Sequence, residues 1–269
     1  MVQFSPCKIN LGLSILEKRT DGFHALETVF YPIALHDIIE IVPAKFDAFS
    51  HSGIAIPGET SNNLCVKAYQ LLKADFPQIT NVQIHLHKNI PMGAGLGGGS
   101  GDGTTVLKIL NTLFNLNLSK EQLVHYAAIL GSDCPFFIFN EACHAIGRGE
   151  ILEPITIDLS KYTIALIHPG IHIPTAWAFQ QLSPCIKEKT IAEIIKQPIE
   201  TWKAELINDF ELPVFKAHPL LEVIKNNLYN QGAIYASMSG SGSSLFGIFH
   251  KGTKLEYAAL GTSIRVDLI

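Results

Sequence analysis

The sequence predicts a mixed protein of helices and strands, of the α/β or α+β class, organised in two domains. Of its 269 residues, 47% are hydrophobic and 16% are charged, which is typical of a chain that buries a large core. Segments with period-two alternation of apolar residues are interspersed with segments of helical periodicity, so both kinds of element are expected. We place the domain boundary near Glu153, which gives an N-terminal domain over residues 1–153 and a C-terminal domain over residues 154–269.

The N-terminal part begins with strands. Apolar and polar residues alternate from Cys7 to Ile15, which predicts a strand with one buried face and with Lys8 and Asn10 on the other face. Asp21-Gly22 is typical of a hairpin turn. The same patterns predict further strands over 24–33, 36–44 and 81–90, and a helix over 61–76 whose N-cap is Ser61 or Asn62.

The remaining elements follow a glycine-rich segment. Residues 119–131 predict a helix with Ser119 as N-cap and Gly131 at its C-terminal end. The other predicted elements are a hairpin over 143–155, a strand over 161–170, helices over 175–182, 190–196 and 218–232, and a strand, turn and strand over 235–250.

Composition excludes several classes of function. The net charge is −4 and no run of Lys and Arg occurs, so neither nucleic acid nor an anionic membrane is an expected partner. No apolar run is long enough to span a bilayer. The five scattered cysteines form no C-x-x-C pair, and the N-terminus lacks the features of a signal peptide, so we expect a reducing cytoplasm. The eleven histidines form no H-E-x-x-H motif, so a metal held by protein side chains alone is not indicated.

The most informative segment is PMGAGLGGGSGDGTT, residues 91–105, in which seven of fifteen residues are glycine. It lies between a predicted strand and a predicted helix over 106–114. Bare N–H groups before a helix N-terminus form a site for an anion such as phosphate. A Walker A motif is excluded because the segment has no G-K-[ST] and its first following lysine is Lys108, and the alternating strand fits a Rossmann motif poorly. The segment therefore predicts a phosphate-binding loop, and a flexible surface loop is the weaker alternative.

Two other segments are ambiguous when taken alone. SMSGSG, residues 237–242, is compatible with an ordinary Gly/Ser turn between strands. In GSDCPFF, residues 131–137, Asp133 has the features of a turn or cap residue. Lys8 on a strand is likewise more often a solvated side chain than a catalytic one.

The order of these segments carries more information than any one of them. SPCKINLGL, RTDGFHALETVF, PMGAGLGGGSGDG, GSDCPFF, NDFE and MSGSGSSLFGIF together resemble the galactokinase, homoserine kinase, mevalonate kinase and phosphomevalonate kinase (GHMP) superfamily. Within it, the chain resembles the family that phosphorylates 4-diphosphocytidyl-2-C-methyl-D-erythritol in the non-mevalonate isoprenoid pathway. The resemblance runs from Ser5 to about Phe249. It implies an α+β fold, with an N-terminal domain like domain 2 of ribosomal protein S5 and a ferredoxin-like C-terminal domain.

The resemblance also implies a set of site residues. Lys8 and Asp133 match the catalytic pair, Asn10 matches a substrate contact, and Phe23, His24 and Phe179 match the residues that bind cytidine. ATP would be the phosphate donor and would bring Mg²⁺, for which no protein ligand is assigned. The residues matching ATP contacts are Pro91, Met92, Gly93, Ala94, Gly95, Leu96, Gly97, Gly98, Gly99, Ser100 and Gly101 at the phosphates, and Asn63 and Lys88 near the adenosine.

Three residues depart from the family pattern. Phe23 stands where tyrosine is more usual, and Gly101 and Gly103 stand where serine and alanine are commoner, so Gly101 offers no hydroxyl for a phosphate or metal contact. The expected partners are the cytidine-diphosphate-linked substrate and ATP, and the expected state is a monomer or weak dimer. Two alternatives stay open, namely another small-molecule kinase such as a homoserine or mevalonate kinase, and a non-catalytic binding protein, for example for RNA.

Overall fold

The computed structural model describes residues 1–182 and 187–256 and the backbone of residues 265–268; Cys185 lies outside this part of the chain. Contacts divide the chain into two compact units. Unit 1 comprises Met1–Lys8, Pro32–Met92 and Gly97–Glu141, and unit 2 comprises Ile9–Tyr31, Gly93–Leu96 and Ala142–Ile269. This division differs from the boundary expected near Glu153, which stays a prediction about the two family domains.

Two long strands supply segments to both units. β1 (Val2–Lys18) is buried on both faces from Ser5 to Ile15, so the prediction that Lys8 and Asn10 lie on an open face is wrong. The two strands predicted over 24–33 and 36–44 are one strand, β2 (His24–Pro43). Residues 26–30 of β2 pair with β5, and residues 38–43 pair with β4. Pro32 has no N–H to donate, but it lies between these two paired stretches, so it removes no hydrogen bond from either pairing.

Unit 1 packs helices against a small sheet. β4 (Val82–Lys88) pairs with the second half of β2 and with β3 (Ala48–Gly53), and its buried residues alternate as predicted. The helices are α1 (Leu64–Asp75), α2 (Gly98–Leu113), α3 (Lys120–Leu130) and the short α4 (Phe136–Phe139). The core contains Val82, Ile84 and Leu86 of β4 together with buried residues of α1 and α2.

The helix ends in unit 1 test the capping predictions. The α3 prediction is confirmed, because Ser119 forms a capping box with Gln122 and Gly131 is the C-cap. The cap predicted for α1 is wrong, because Asn63 accepts from the Cys65 N–H while Ser61 and Asn62 lie in a 3-10 turn. α2 begins at Gly98, earlier than the predicted position 106.

Unit 2 contains a hairpin and a second sheet. The predicted hairpin is β5 (Cys143–Gly147) and β6 (Ile151–Pro154), with β5 pairing to the first half of β2. The second sheet has the order β10-β7-β9-β8. Its strands are β7 (Tyr162–His168), β8 (Tyr235–Met238), β9 (Leu245–His250) and β10 (Arg265–Leu268).

The helices of unit 2 include three that were predicted, α5 (Thr175–Gln180), α6 (Ile191–Ile194) and α9 (Pro219–Asn230). α7 (Ile199–Glu205) and α8 (Glu211–Ala217) were missed. Each spans seven residues, which is too short for a helical period to show, and Pro198 and Pro213 obscure the pattern further. None of the helices in the described part of the chain combines the length and apolarity that crossing a bilayer demands.

Candidate active site

The structure brings together the lysine and the aspartate that were predicted as a catalytic pair. Lys8 Nζ on β1 lies 3.7 Å from Asp133 Oδ2. The Lys8 side chain is 4% exposed, whereas that of Asp133 is 37% exposed. Burial lowers the pKa of Lys8, and the nearby charge of Asp133 opposes this shift. The pair therefore places one buried cation behind a carboxylate that solvent and a substrate can reach.

Asp133 lies in the turn between α3 and α4. Gly131 ends α3, and the Cys134 N–H donates to the Gly131 carbonyl at 3.2 Å. The hydroxyl of Thr104 on α2 donates to the Cys134 carbonyl at 3.0 Å. The turn that carries Asp133 is thus fastened to the helix that follows the glycine-rich segment.

Gly97 precedes α2 in a left-handed conformation, with a φ of 68°. A Cβ at this position would lie 3.0 Å from the Phe137 ring and 3.2 Å from Lys8 Cε. Glycine therefore meets two requirements here, since it permits the backbone turn and it leaves room for the Lys8 stem.

The first turn of α2 offers N–H groups to an anion. The first backbone bond of the helix runs from the Gly101 N–H to the Gly97 carbonyl, so the N–H groups of Gly98, Gly99 and Ser100 are not needed inside the helix. A Cβ added to Gly99 would meet no atom within 4 Å. An open helix N-terminus of this kind fits a phosphate group.

The neighbouring glycines serve packing. A Cβ on Gly98 would lie 2.8 Å from Ile90 Cγ2, and one on Gly103 would lie 2.9 Å from Leu64 Cβ. A Cβ on Gly101 would collide with the Pro6 carbonyl oxygen. Gly101 and Gly103, which depart from the family pattern, are therefore directed into the protein and accommodate close packing against β1 and α1.

Lys88 and Asn63, predicted near the adenosine, both make contacts inside unit 1. Lys88 Nζ donates to Asp37 and, at 2.8 Å, to Asp102, and these three side chains are between 0% and 3% exposed. Asn63 caps α1. Burial, reinforced by the charge of Asp37, raises the pKa of Asp102 to about 7 against the opposing effect of Lys88. That Lys88 or Asn63 contacts adenosine stays a prediction.

The raised pKa predicts a pH-dependent effect of Asp102→Asn on stability. Between about pH 4 and pH 7 the folded wild type holds a proton that the unfolded chain has lost, so its free energy of unfolding falls as pH rises, by up to about 1.4 kcal/mol per unit. The variant has no such proton. Urea unfolding from pH 5 to 8 should show the variant gaining stability relative to the wild type as pH rises.

Asp47→Asn is the control for this measurement. Hydrogen bonds from Lys73 and Tyr69 help to lower the pKa of Asp47, although its partial burial opposes them. Ionised Asp47 therefore adds to the free energy of unfolding at every pH above the ordinary pKa of an aspartate, and this contribution is lost only in more acidic solution. The stability difference for Asp47→Asn should therefore be constant from pH 5 to 8, and a constant difference for Asp102→Asn would contradict the prediction.

In unit 2, Asn10 lies in a buried hydrogen-bond network. Its side-chain N–H donates to Thr28 Oγ1 at 2.9 Å, and its backbone N–H donates to Ser239 Oγ at 3.2 Å. The Ser239 hydroxyl donates in turn to the Gly95 carbonyl at 2.8 Å. Asn10 is 2% exposed, so it links β1 and β2 to two loops, and its contact with substrate stays a prediction.

The segment predicted to bind ATP has residues in both units. Pro91 and Met92 belong to unit 1, as do Gly97 and the residues after it, whereas Gly93–Leu96 belong to unit 2. Gly93–Leu96 contact the Gly/Ser turn of residues 237–244, since the Ser244 N–H donates to the Ala94 carbonyl at 3.2 Å. A Cβ on Gly95 would collide with the Ser239 carbonyl oxygen. The Gly/Ser turn is therefore a support for this part of the loop.

Sequence reasoning missed the residues that hold the Gly/Ser turn. Asn208 is fully buried, and its side chain donates to the carbonyls of Met238 at 2.7 Å and Gly240 at 2.9 Å. Glu211 accepts from the Met238 N–H at 2.8 Å and from the Ser237 hydroxyl at 3.0 Å. Both belong to NDFE, a segment that was noted only as part of the family resemblance.

The aromatic residues predicted to bind cytidine also lie in unit 2. The rings of His24 and Phe179 stack with centroids 5.1 Å apart and an angle of 19° between planes. Phe179 contacts Phe210 edge-on at 4.9 Å. Phe23 is 53% exposed, and the Arg148 guanidinium lies 4.3 Å from its ring centroid. His24 therefore occupies a place beside Phe179, and a pyrimidine stacked between Phe23 and Phe179 stays a prediction.

Comparisons with known proteins agree with the sequence resemblance. Residues 63–141 match the GHMP kinases N terminal domain, and residues 190–259 match the GHMP kinases C terminal family. A 4-diphosphocytidyl-2-C-methyl-D-erythritol kinase of Cytophaga hutchinsonii is 50% identical over 251 residues, covering 93% of each chain. A crystal structure of 4-(cytidine 5'-diphospho)-2C-methyl-D-erythritol kinase superposes with a TM-score of 0.85 at 30% identity, covering 100% of this chain and 98% of that one.

A more distant structure shows the shared fold. The mevalonate kinase of Methanococcus jannaschii superposes with a TM-score of 0.72 at 15% identity, covering 100% of this chain and 97% of that one. This supports the predicted α+β architecture of the superfamily. The chain belongs to the GHMP kinases and, within them, to the family of 4-diphosphocytidyl-2-C-methyl-D-erythritol kinases.

Proposed function

We propose that this chain transfers the γ-phosphoryl group of ATP to the 2-hydroxyl of 4-diphosphocytidyl-2-C-methyl-D-erythritol, in the non-mevalonate isoprenoid pathway. The observation that carries the proposal is the buried Lys8 beside the reachable carboxylate of Asp133, in the same unit as the open N-terminus of α2. Family membership supports ATP as the phosphate donor. A cytoplasmic location and a monomeric or weakly dimeric state stay predictions.

Positioning and electrostatics dominate the proposed reaction. Phosphoryl transfer has a loose transition state, so the protein contributes mainly by holding the two oxygens in line and by stabilising charge. Asp133 orients the acceptor hydroxyl and accepts its proton late, while Lys8 balances the growing negative charge. The N–H groups at the start of α2 hold phosphate oxygens.

Magnesium is proposed to accompany ATP. When bound, the ion neutralises charge on the β- and γ-phosphates. The described residues contain no group of three or more His, Cys, Asp or Glu side chains that could hold a metal. We therefore propose that phosphate oxygens and water supply most of the magnesium ligands, as is usual for this ion.

The aromatic residues of unit 2 are proposed to select the cytidine end of the acceptor. Binding energy from this remote group positions the hydroxyl, so its removal should lower turnover as well as affinity. Methylerythritol phosphate, homoserine and mevalonate should be very poor acceptors in a coupled ATPase assay beside the cytidyl substrate. Comparable kcat/KM for methylerythritol phosphate would contradict the assignment, and preference for homoserine or mevalonate would favour an alternative kinase.

Phe179→Ala should weaken acceptor binding by about 1–3 kcal/mol, the value of one stacking contact, without a similar change in ATP binding. His24 loses its stacking partner in this variant, so the expected loss of binding free energy includes the effect of a displaced His24 ring. Tyr162→Ala is the matched control, because Tyr162 stacks on His250 at 5.5 Å on β7 and β9. Equal acceptor KM in the Phe179 variant and the wild type would show that the aromatic residues only pack the core.

A further inference from the structure

A buried cluster of three charged groups lies beneath the start of α2. We call Asp37, Lys88 and Asp102 the charge cluster; they come from β2, β4 and α2 respectively. With both carboxyl groups ionised, the cluster carries a net charge of −1 in the protein interior. Burying an unbalanced charge is costly, so the cluster favours the uptake of one proton.

The two carboxyl groups are not equivalent. Asp37 Oδ1 accepts from the Asn89 N–H at 2.5 Å and from the Ile90 N–H at 2.8 Å, in addition to the contact of Asp37 with Lys88. Asp37 therefore accepts from three donors. Asp102 Oδ2 accepts from Lys88, but Asp102 Oδ1 has no hydrogen-bond partner among the described residues. Asp102 is thus the member of the cluster suited to hold a proton.

The other polar groups around Asp102 in the described part of the chain are one hydroxyl and one thiol. The Ser5 hydroxyl on β1 is fully buried and lies beside the Asp102 carboxyl, where it favours the ionised form, but burial of the carboxyl outweighs this effect. From α1, the Cys65 thiol faces the cluster, and burial raises the pKa of that thiol so that it stays neutral. The charged groups facing Asp102 are therefore Lys88 and Asp37.

The cluster touches the turn that is proposed to hold phosphate. A Cβ on Gly98 would lie 3.1 Å from Lys88 Nζ, so Lys88 contacts the first residue of α2 from inside. Asp102 lies one turn further along the same helix. A negative charge at this depth opposes the attraction of the helix N-terminus for an anion.

We propose that the charge cluster positions the phosphate donor: Lys88 ties the first turn of α2 to β2 and β4, and Asp102 Oδ1 takes up a proton from solvent when nucleotide phosphates bind at that turn. The proposal rests on the proposed function, in that the first turn of α2 is the phosphate site. The proton leaves a hydronium ion or buffer acid in the solvent and forms an O–H bond on Asp102 Oδ1, and no other covalent bond is made or broken.

The proposal predicts that ATP affinity depends on the ionisation of Asp102. The pKa of this carboxyl is raised to about 7 in the free protein, and bound phosphates raise it further. Affinity is therefore greatest below about pH 7 and falls as pH rises from that value toward the higher pKa of the complex. The loss approaches about tenfold per pH unit in that window.

Measuring ATP dissociation constants from pH 6 to 9 for the wild type, Asp102→Asn and Asp47→Asn tests this pH dependence. ATP itself titrates, so the quantity to compare is the ratio of dissociation constants of wild type and variant at each pH. For Asp102→Asn the ratio should rise about threefold to tenfold between pH 6.5 and 8.5. For Asp47→Asn, which removes a carboxylate bonded to Lys73 and Tyr69, the ratio should be flat.

A ratio for Asp102→Asn that does not change with pH would overturn the inference. A purely structural role predicts this result, because it changes ATP affinity by the same factor at every pH. Failure of the wild type to bind ATP at all would instead contradict the proposed function. Carbon-13 NMR of aspartate carboxyl carbons in the wild type needs no variant to fold. It should show one carboxyl group titrating near pH 7 whose pKa rises when ATP is added, and an unchanged pKa would again overturn the inference.

Discussion

Replacing Asp133 with asparagine is expected to lower kcat at least about a hundredfold and to leave ATP affinity nearly unchanged. Asparagine keeps the size of the side chain but cannot accept the proton of the acceptor hydroxyl. The Asp133 side chain is 37% exposed, but its charged neighbour at 3.7 Å is the buried Lys8, so the change removes a carboxylate that helps to stabilise that cation. The large loss should therefore appear in turnover, with at most a moderate fall in the melting temperature from the change at Lys8.

Steady-state kinetics with saturating ATP and cytidyl substrate, together with ATP titration and a thermal melt, would measure this. Asp75→Asn is a matched control, since Asp75 is a surface carboxylate of unit 1 that accepts from Tyr126. Lys8→Met should also lower kcat, and the double variant should lose much less than the product of the single losses, because the two residues act as one pair. Near-normal turnover of Asp133→Asn would show that Asp133 is only a turn residue.

The sequence predicts the elements of the site better than their burial. Alternation along β1 correctly places Lys8 and Asn10 on one face, but it also suggests that this face is open. In the structure this face is covered by parts of the chain that are distant in sequence. For example, the backbone N–H of Asn10 donates to the hydroxyl of Ser239. Period-two patterns report the chemistry of residues on one strand, and they contain no information about what packs against a polar face.

Glycine composition illustrates the same limit. The glycine-rich segment over 91–105 correctly predicts a loop followed by a helix, but Gly98, Gly99, Gly101 and Gly103 lie inside α2 and not before it. Composition cannot separate Gly98 and Gly101, which make room for Ile90 and the Pro6 carbonyl, from Gly99, which borders open space. That distinction depends on neighbours from other elements. The same applies to Lys88, whose two carboxylate partners lie 51 and 14 residues away along the chain.

Gly99→Val is expected to weaken ATP binding about tenfold to a hundredfold without lowering the melting temperature. A bulky residue at Gly97 or Gly98 is a poorer test, because Gly97 has a positive φ and a side chain at Gly98 would press on Ile90 and Lys88. Gly99 has helical geometry, and its Cβ would point into open space. Valine also has a higher helix propensity than glycine, so folding should not suffer.

The physical reason for the expected loss is exclusion of a phosphate from the first turn of α2. A valine side chain there occupies the space next to the free N–H groups, and losing one charge-assisted hydrogen bond costs about 1.5–3 kcal/mol, or roughly tenfold to a hundredfold in affinity. Gly99→Ala should give a smaller loss, whereas Gly98→Ala should lower the melting temperature. ATP dissociation constants and melting curves for the three variants separate packing from binding. A folded Gly99→Val protein with wild-type ATP affinity would show that phosphate does not bind at this helix N-terminus.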